Sequence, residues 1–235
     1  MALAKRKRLS REESRELTEQ RLVEAAQRLI ARRGLDATSV EDFAEAAGFS
    51  RGAFYSNFKT KNDLLFEVLR RDQERNTARF AGALDDALPL EQVRARIKEI
   101  NATLFSDTDS FMAWTEARML SARDAKFRGS VADLIAQRRD FVVTVLEYLC
   151  RRTGAVSNLP PGDLAMGFIS LSEGVRLFGA SCPNEMTPEI ARSILDVFID
   201  AVLQHVMQPQ RVTQSDKREA AAAARGSARS AAASR

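Results

Sequence analysis

Apolar residues recur along most of this chain three and four positions apart, the spacing of an amphipathic helix, and no segment sustains the alternation of a strand. A first helix is predicted from about Arg11 to Arg33, with Leu22, Ala26, Leu29 and Ile30 as its stripe and Gly34 as its stop. A second follows Thr38, where Thr38 and Glu41 have capping-box spacing and Val40, Phe43, Ala44 and Ala47 form one face up to Gly48. A short third helix runs from near Ser50 to about Ser56. A fourth begins after Thr60, capped by Thr60 and Asp63, with Leu64, Leu65, Val68 and Leu69 as its apolar face, and continues past Glu74. Further breaks predict helices at roughly 90–105, 109–122, 125–153, 162–181 and 188–206. The fold class is all-α, with no internal repeat. Four segments are expected: a basic disordered arm over 1–10, a helix-turn-helix unit over 11–70, a second helical domain over 71–207, and a disordered Ala/Arg-rich tail over 208–235.

Composition narrows the class. Of 235 residues, 45% are apolar and 29% charged, the balance of an ordinary globular protein. No apolar run is long enough to span a bilayer, and the basic start MALAKRKRLS lacks the apolar core of a signal peptide, so a cytoplasmic location without membrane attachment is expected. Cys150 and Cys182 lie far apart and read as ordinary thiols of a reducing compartment. The net charge of +4 is unevenly placed. Residues 1–10 and 208–235 together carry +8, which leaves −4 on the body between them. Basic arms of that kind suit phosphate contact, and Lys5–Arg8 is placed to reach a minor groove or flanking phosphates.

The segment from Gly48 to Gly52, GFSRG, fits the nucleophile elbow of serine hydrolases. That motif needs a strand before the serine, and Val40–Ala47 reads as a helix. A triad would have to use His205, the chain's one histidine, and no oxyanion loop is evident. The same histidine cannot make a metal site alone, and position 202 is valine where a di-iron helix would carry glutamate. No cofactor, metal or catalytic residue is therefore predicted. Helix, glycine turn, helix is the better reading: a helix-turn-helix whose second helix enters the major groove of double-stranded DNA. A helical module that uses this surface on another protein remains an alternative.

With Phe54 and Phe58 turned inward against Phe43 and Leu64, residues Ser50, Arg51, Gly52, Ala53, Tyr55, Ser56 and Asn57 face outward. Arg51 suits a bidentate contact to guanine, and Gly52 lets the helix approach DNA closely. Thr38, Ser39, Tyr55 and Lys61 have the chemistry for phosphate oxygens. From Thr38 to Leu64 the pattern T-S-V-x-D-F-A-x-A-A-G-F-S-R-G-A-F-Y-S-N-F-K-x-K-x-x-L resembles the DNA-binding signature of the tetracycline-repressor (TetR/AcrR) family, over about residues 15–70. Its hallmarks here are Ala47-Gly48, Ser50 with Gly52, Tyr55 with Phe58, and Lys61 with Leu64. Asn57 and Phe49 depart from the family's frequent histidine and aliphatic residues. The resemblance implies a homodimeric regulator, most simply a repressor, that reads a palindromic operator and is released by a small effector.

The second domain supplies candidates for that effector site, expected to take an apolar or aromatic molecule: Phe111, Trp114 and Arg118 on one helix face, with Phe141, Phe168 and Arg176. The last two helices carry stripes (Leu164, Phe168, Leu171, Val175, Phe178; Ile190, Ile194, Val197, Phe198, Ala201, Val202) that suit a dimer interface, which the resemblance implies is a four-helix bundle.

Overall fold

The computed structural model describes residues 10–202 and 207–209. The basic run Lys5–Arg8, His205 and the tail from residue 210 lie outside the described residues. Four helices make the N-terminal part: α1 (Arg11–Arg33), α2 (Val40–Ala46), α3 (Arg51–Asn57) and α4 (Lys61–Ala81). Five follow: α5 (Leu90–Ser106), α6 (Thr108–Arg123), α7 (Ala125–Thr153), α8 (Pro161–Ser181) and α9 (Pro188–Ala201). Two three-residue strands, β1 (Ala155–Ser157) and β2 (Met207–Pro209), pair antiparallel with Val156 opposite Gln208. Three residues are too few to show an alternating pattern, so the sequence reading took both for irregular chain, and placed Gln208 and Pro209 in the tail.

Local chemistry sets the helix ends. Ser10 and Glu13 form a capping box at α1, and Thr60 and Asp63 form one at α4. At α2 the cap is one residue later than predicted: Ser39, not Thr38, accepts from the backbone of Asp42, and Asp42 replaces Glu41 as the returning carboxylate. Those hydrogen bonds, from the Ser39 side chain first and its backbone second, hold the Asp42 carboxyl below its ordinary value. Thr38 is instead fully buried, its hydroxyl donating to the Gly34 carbonyl at 2.7 Å. Gly34, Gly48 and Gly154 have positive φ, and Gly154 ends α7 in the left-handed conformation.

One core joins the two parts of the chain. Leu22 and Ile30 of α1, Phe43, Phe54, and Leu64, Leu65 and Leu69 of α4 pack in a single cluster with Ala113, Trp114 and Ala117 of α6 and Phe127, Val131 and Leu134 of α7. A second cluster, with Val93, Ile97, Tyr148, Leu149, Leu164 and Val202, lies farther along the molecule. Helix α4 runs unbroken through position 70, where the sequence reading divided the domains, and packs against α1 as well as α6 and α7.

Candidate nucleic-acid interface and effector cavity

Phe54 and Phe58 are buried with Phe43 and Leu64 beneath α3, as the apolar spacing requires. The face left to solvent carries Ser50, Arg51, Gly52, Tyr55 and Ser56; Tyr55 is 47% exposed and stands edge-on to Phe54. Ser50 caps α3, its oxygen accepting from the Ala53 amide. The element before it is α2, so GFSRG joins helix to helix and lacks the strand a nucleophile elbow needs. Arg51 at the start of α3 pairs with Glu41 of α2 at 2.8 Å and lies over the Tyr55 ring. The Tyr55 hydrogen bond first, and the Glu41 charge second, raise its pKa. Both partners of the Arg51–Glu41 pair are largely exposed, so the pair is weak and the guanidinium is free to exchange it for a base edge.

Thr38, Asn57 and Lys61, all predicted to face DNA, turn their polar groups into the protein. Thr38 is buried, as above. Asn57 is half-buried and its amide nitrogen returns to the Ala53 carbonyl at 2.8 Å, so it continues the helix ladder instead of projecting outward. Lys61 donates from Nζ to the carbonyls of Leu35 at 2.9 Å, Thr38 at 3.0 Å and Asp36 at 3.4 Å. An ammonium has three donors, and all three here clamp the α1–α2 connection to the start of α4. Ala53 is half-buried, while Ser39 is exposed beside the N-terminus of α2.

Between α4, α5, α7, α8 and α9 lies a cavity of about 150 Å³. Its apolar wall includes Phe80 against Phe141 and Phe168 against Phe198, each pair 6.1 Å between ring centres. A neighbouring cavity of about 360 Å³ shares Asn101, Phe105, Arg176, Leu195 and Ile199 with it. Of the six predicted effector residues, Phe141, Phe168 and Arg176 line the first cavity and Phe111 lines the second. Trp114 and Arg118 line neither. The Trp114 ring is packed in the core between α6 and α4, and Arg118 stacks on it while pairing with Glu173. Trp114 meets Asp72 of α4 and Arg118 meets Glu173 of α8, so each touches a cavity-wall residue without itself lining the cavity.

Further cavity residues, not expected from the sequence, sit on α4. Leu65, Leu69, Asp72 and Asn76 follow one another at helical spacing, so two polar residues continue an apolar stripe; that interruption was the available signal. The Asp72 carboxylate is buried and accepts four hydrogen bonds: from Arg75 at 2.7 Å, Ser110 at 2.8 Å, the Trp114 indole at 2.9 Å and Asn76 at 3.2 Å. Ser110 in turn accepts from Gln27 of α1 at 2.9 Å. A polar chain thus connects a cavity-wall carboxylate to α1, which packs against α2 and α3.

The stripes of α8 and α9 are divided. Leu164 and Val175 are buried within the chain, and Phe168 and Phe198 face the cavity. Phe178, Leu177, Val197 and Ile190 are exposed, at 58%, 51%, 66% and 44%. No helix among the described residues is long and apolar enough to cross a membrane. No cluster of metal-ligating side chains occurs among them either.

Residues 22–68 match the family model for bacterial regulatory proteins of the tetR family. The repressor KstR2 of Mycolicibacterium smegmatis is 40% identical over 73 residues, 31% of this chain and 36% of that protein, so this similarity spans about a third of the relative's length. The regulator TtgR of Pseudomonas putida is 25% identical over 199 residues, covering 84% of this chain and 83% of its own. A TetR-family regulator from Rhodococcus sp. superimposes with a TM-score of 0.68 at 25% identity, over 82% of this chain and all of the other.

Proposed function

We propose that this member of the tetR family of bacterial transcriptional regulators is a homodimeric repressor released from its operator by a small molecule held in the α4–α9 cavity. The observation that carries the reading is the span of α4. Its first residue, Lys61, clamps the α1–α2 connection, and Asp72, Asn76 and Phe80 farther along form cavity wall. At 1.5 Å per residue, Lys61 and Asn76 are about 22 Å apart on one rigid element. A ligand that displaces the cavity end of α4 therefore moves the clamp that orients α2 and α3.

Arg51, Gly52 and Tyr55 are the residues assigned to the groove, with Ser39 and Ser50 on phosphates. Lys61 acts through the backbone it holds. The exposed Phe178, Leu177, Val197 and Ile190 support pairing of two copies through α8 and α9, since large apolar side chains grouped on adjacent helices favour burial. Two copies related by a two-fold axis would present two α3 helices to half-sites a helical turn or a multiple apart. Release requires only that the ligand bind the mismatched spacing more tightly, by a few kcal/mol, than the DNA-compatible one.

Binding of the full chain to genomic fragments, followed by gel shift at several salt concentrations, tests this function. Selective, salt-sensitive binding with a footprint of two half-sites is expected. Uniform binding to all fragments, or none, would sink it.

A further inference from the structure

We infer that the cavity takes an organic acid, its carboxylate held by Arg176 and its apolar body lying among Phe80, Phe141, Phe168 and Phe198; this rests on the reading of the cavity as the effector site. The acidic groups around the cavity are already occupied. Asp72 accepts four hydrogen bonds, and Glu173 is paired with Arg118 and, at 3.4 Å, with Arg138. Asp72 is saturated, and the Glu173 charge is already matched by two arginines through one of its oxygens.

Arg176 is in the opposite condition. Its one protein hydrogen bond among the described residues is to a backbone carbonyl, that of Asp107 at 2.5 Å, and its guanidinium lies over the Phe111 ring at 4.7 Å. No carboxylate among the described residues is within ion-pair distance of it. A guanidinium has five N–H donors in a planar fork matched to a carboxylate, so most of this one's capacity is unused. The local charge balance points the same way. Arg75, Arg118, Arg138 and Arg176 face Asp72, Asp107 and Glu173, which leaves one cation in excess.

Position adds a third argument. Arg176 lies in the wall shared by the two cavities. On one side is the phenylalanine-lined chamber; on the other are Arg192 and Lys98, the latter paired with Asp196 at 3.5 Å and Asp200 at 3.8 Å. An apolar body in the first chamber thus brings its head group to Arg176, at the boundary between the two spaces. Burial first, and the Arg138 charge second, push the Arg176 pKa down to about 10, so it is cationic at neutral pH but short of compensation, which an arriving carboxylate supplies.

The test is calorimetric titration of the full chain with three probes that share one body: phenylbutyrate, phenylbutanol and phenylbutylamine. The acid is expected to bind at least about tenfold more tightly than the alcohol or the amine, the scale of one charge-assisted bidentate contact. Arg176→Gln should reduce that preference to about twofold or less, and Arg176→Lys should retain part of it. Helical circular dichroism shows whether each variant folds; if the glutamine variant does not, the lysine variant and the wild-type head-group ranking still decide. The inference is overturned if the alcohol or amine binds as tightly as the acid, if the preference survives Arg176→Gln, or if no probe binds. DNA affinity measured on the same preparation reports separately, so the loss of the acid reading and the loss of the regulator reading are distinct results.

Discussion

Gly52→Ala is expected to stabilise this protein and to weaken its binding to DNA. A Cβ built at Gly52 meets only Ser50 Oγ, at 3.7 Å, an ordinary contact. The residue is exposed in the first turn of α3 and its φ is not positive. Nothing within the chain therefore asks for glycine. Alanine in a helix is favoured over glycine by about 1 kcal/mol, so the variant should melt higher, with roughly a fivefold gain in its folding constant. The reason for glycine must then lie outside the chain, where the backbone of α3 approaches a groove wall or base edge. A methyl group there should cost about tenfold or more in operator affinity, the effect of a 1–2 kcal/mol loss of contact. Thermal unfolding by circular dichroism gives the first number, and fluorescence anisotropy with a labelled operator fragment at fixed salt gives the second. Gly48→Ala is the control. Its φ of 78° is strained for any side chain while nothing lies within 4 Å, so it should lose about 1–2 kcal/mol from backbone strain alone. Unchanged operator affinity in Gly52→Ala would refute the close-approach argument, and a lowered melting temperature would refute the steric one.

Other consequences are open to measurement. Lys61→Met should destabilise the chain by about 2–3 kcal/mol, because three backbone carbonyls lose a charged donor; urea titration reads this, and DNA affinity should fall for every sequence alike. Arg51→Gln should leave stability unchanged and flatten base preference at one position of each half-site, read by anisotropy on a panel of single-base operator variants. Trp114→Phe keeps the ring but leaves Asp72 one donor short, which should cost about 1–3 kcal/mol by urea denaturation. Acid should also act through Glu67. Burial raises its pKa, but the hydrogen bonds and charges of Arg70 and Arg71 outweigh this and bring it below 4.5. A carboxyl depressed in the folded state gives stability that is complete above its unfolded value and is lost as pH falls through the folded one. The melting temperature should drop with acidification below about pH 4.5, and Glu67→Gln should shallow that slope.

Much of the reading unit was legible because its determinants are local. Glycines at 34 and 48, side-chain caps at 50 and 60, and phenylalanines at 54 and 58 each act within a few residues of themselves, so spacing in the sequence predicts position in space. The displacement of the α2 cap from Thr38 to Ser39 shows the limit of that logic. Either residue has the chemistry and the following acid. Burial of Thr38, with its hydroxyl already donated to Gly34, decided between them. Lys61 is similar: its charge and place predict a phosphate contact, but a carbonyl cluster 23–26 residues earlier in the chain takes all three donors.

The sequence, then, determined the helices, their order, and which face of α3 is left to solvent. The pairings between distant helices were decided by tertiary structure. Nothing in the spacing of Phe111, Trp114 and Arg118 tells which helix will cover that face, and aromatic residues have the same pattern whether they fill a core or line a cavity. The division of α8 and α9 between inward Phe168 and Phe198 and outward Phe178 and Val197 was hidden for the same reason. So was the polar chain from Asp72 through Ser110 to Gln27, which joins residues 83 and 38 positions apart. A helix specifies its own faces through a period of 3.6 residues, but what each face meets depends on how all the others pack.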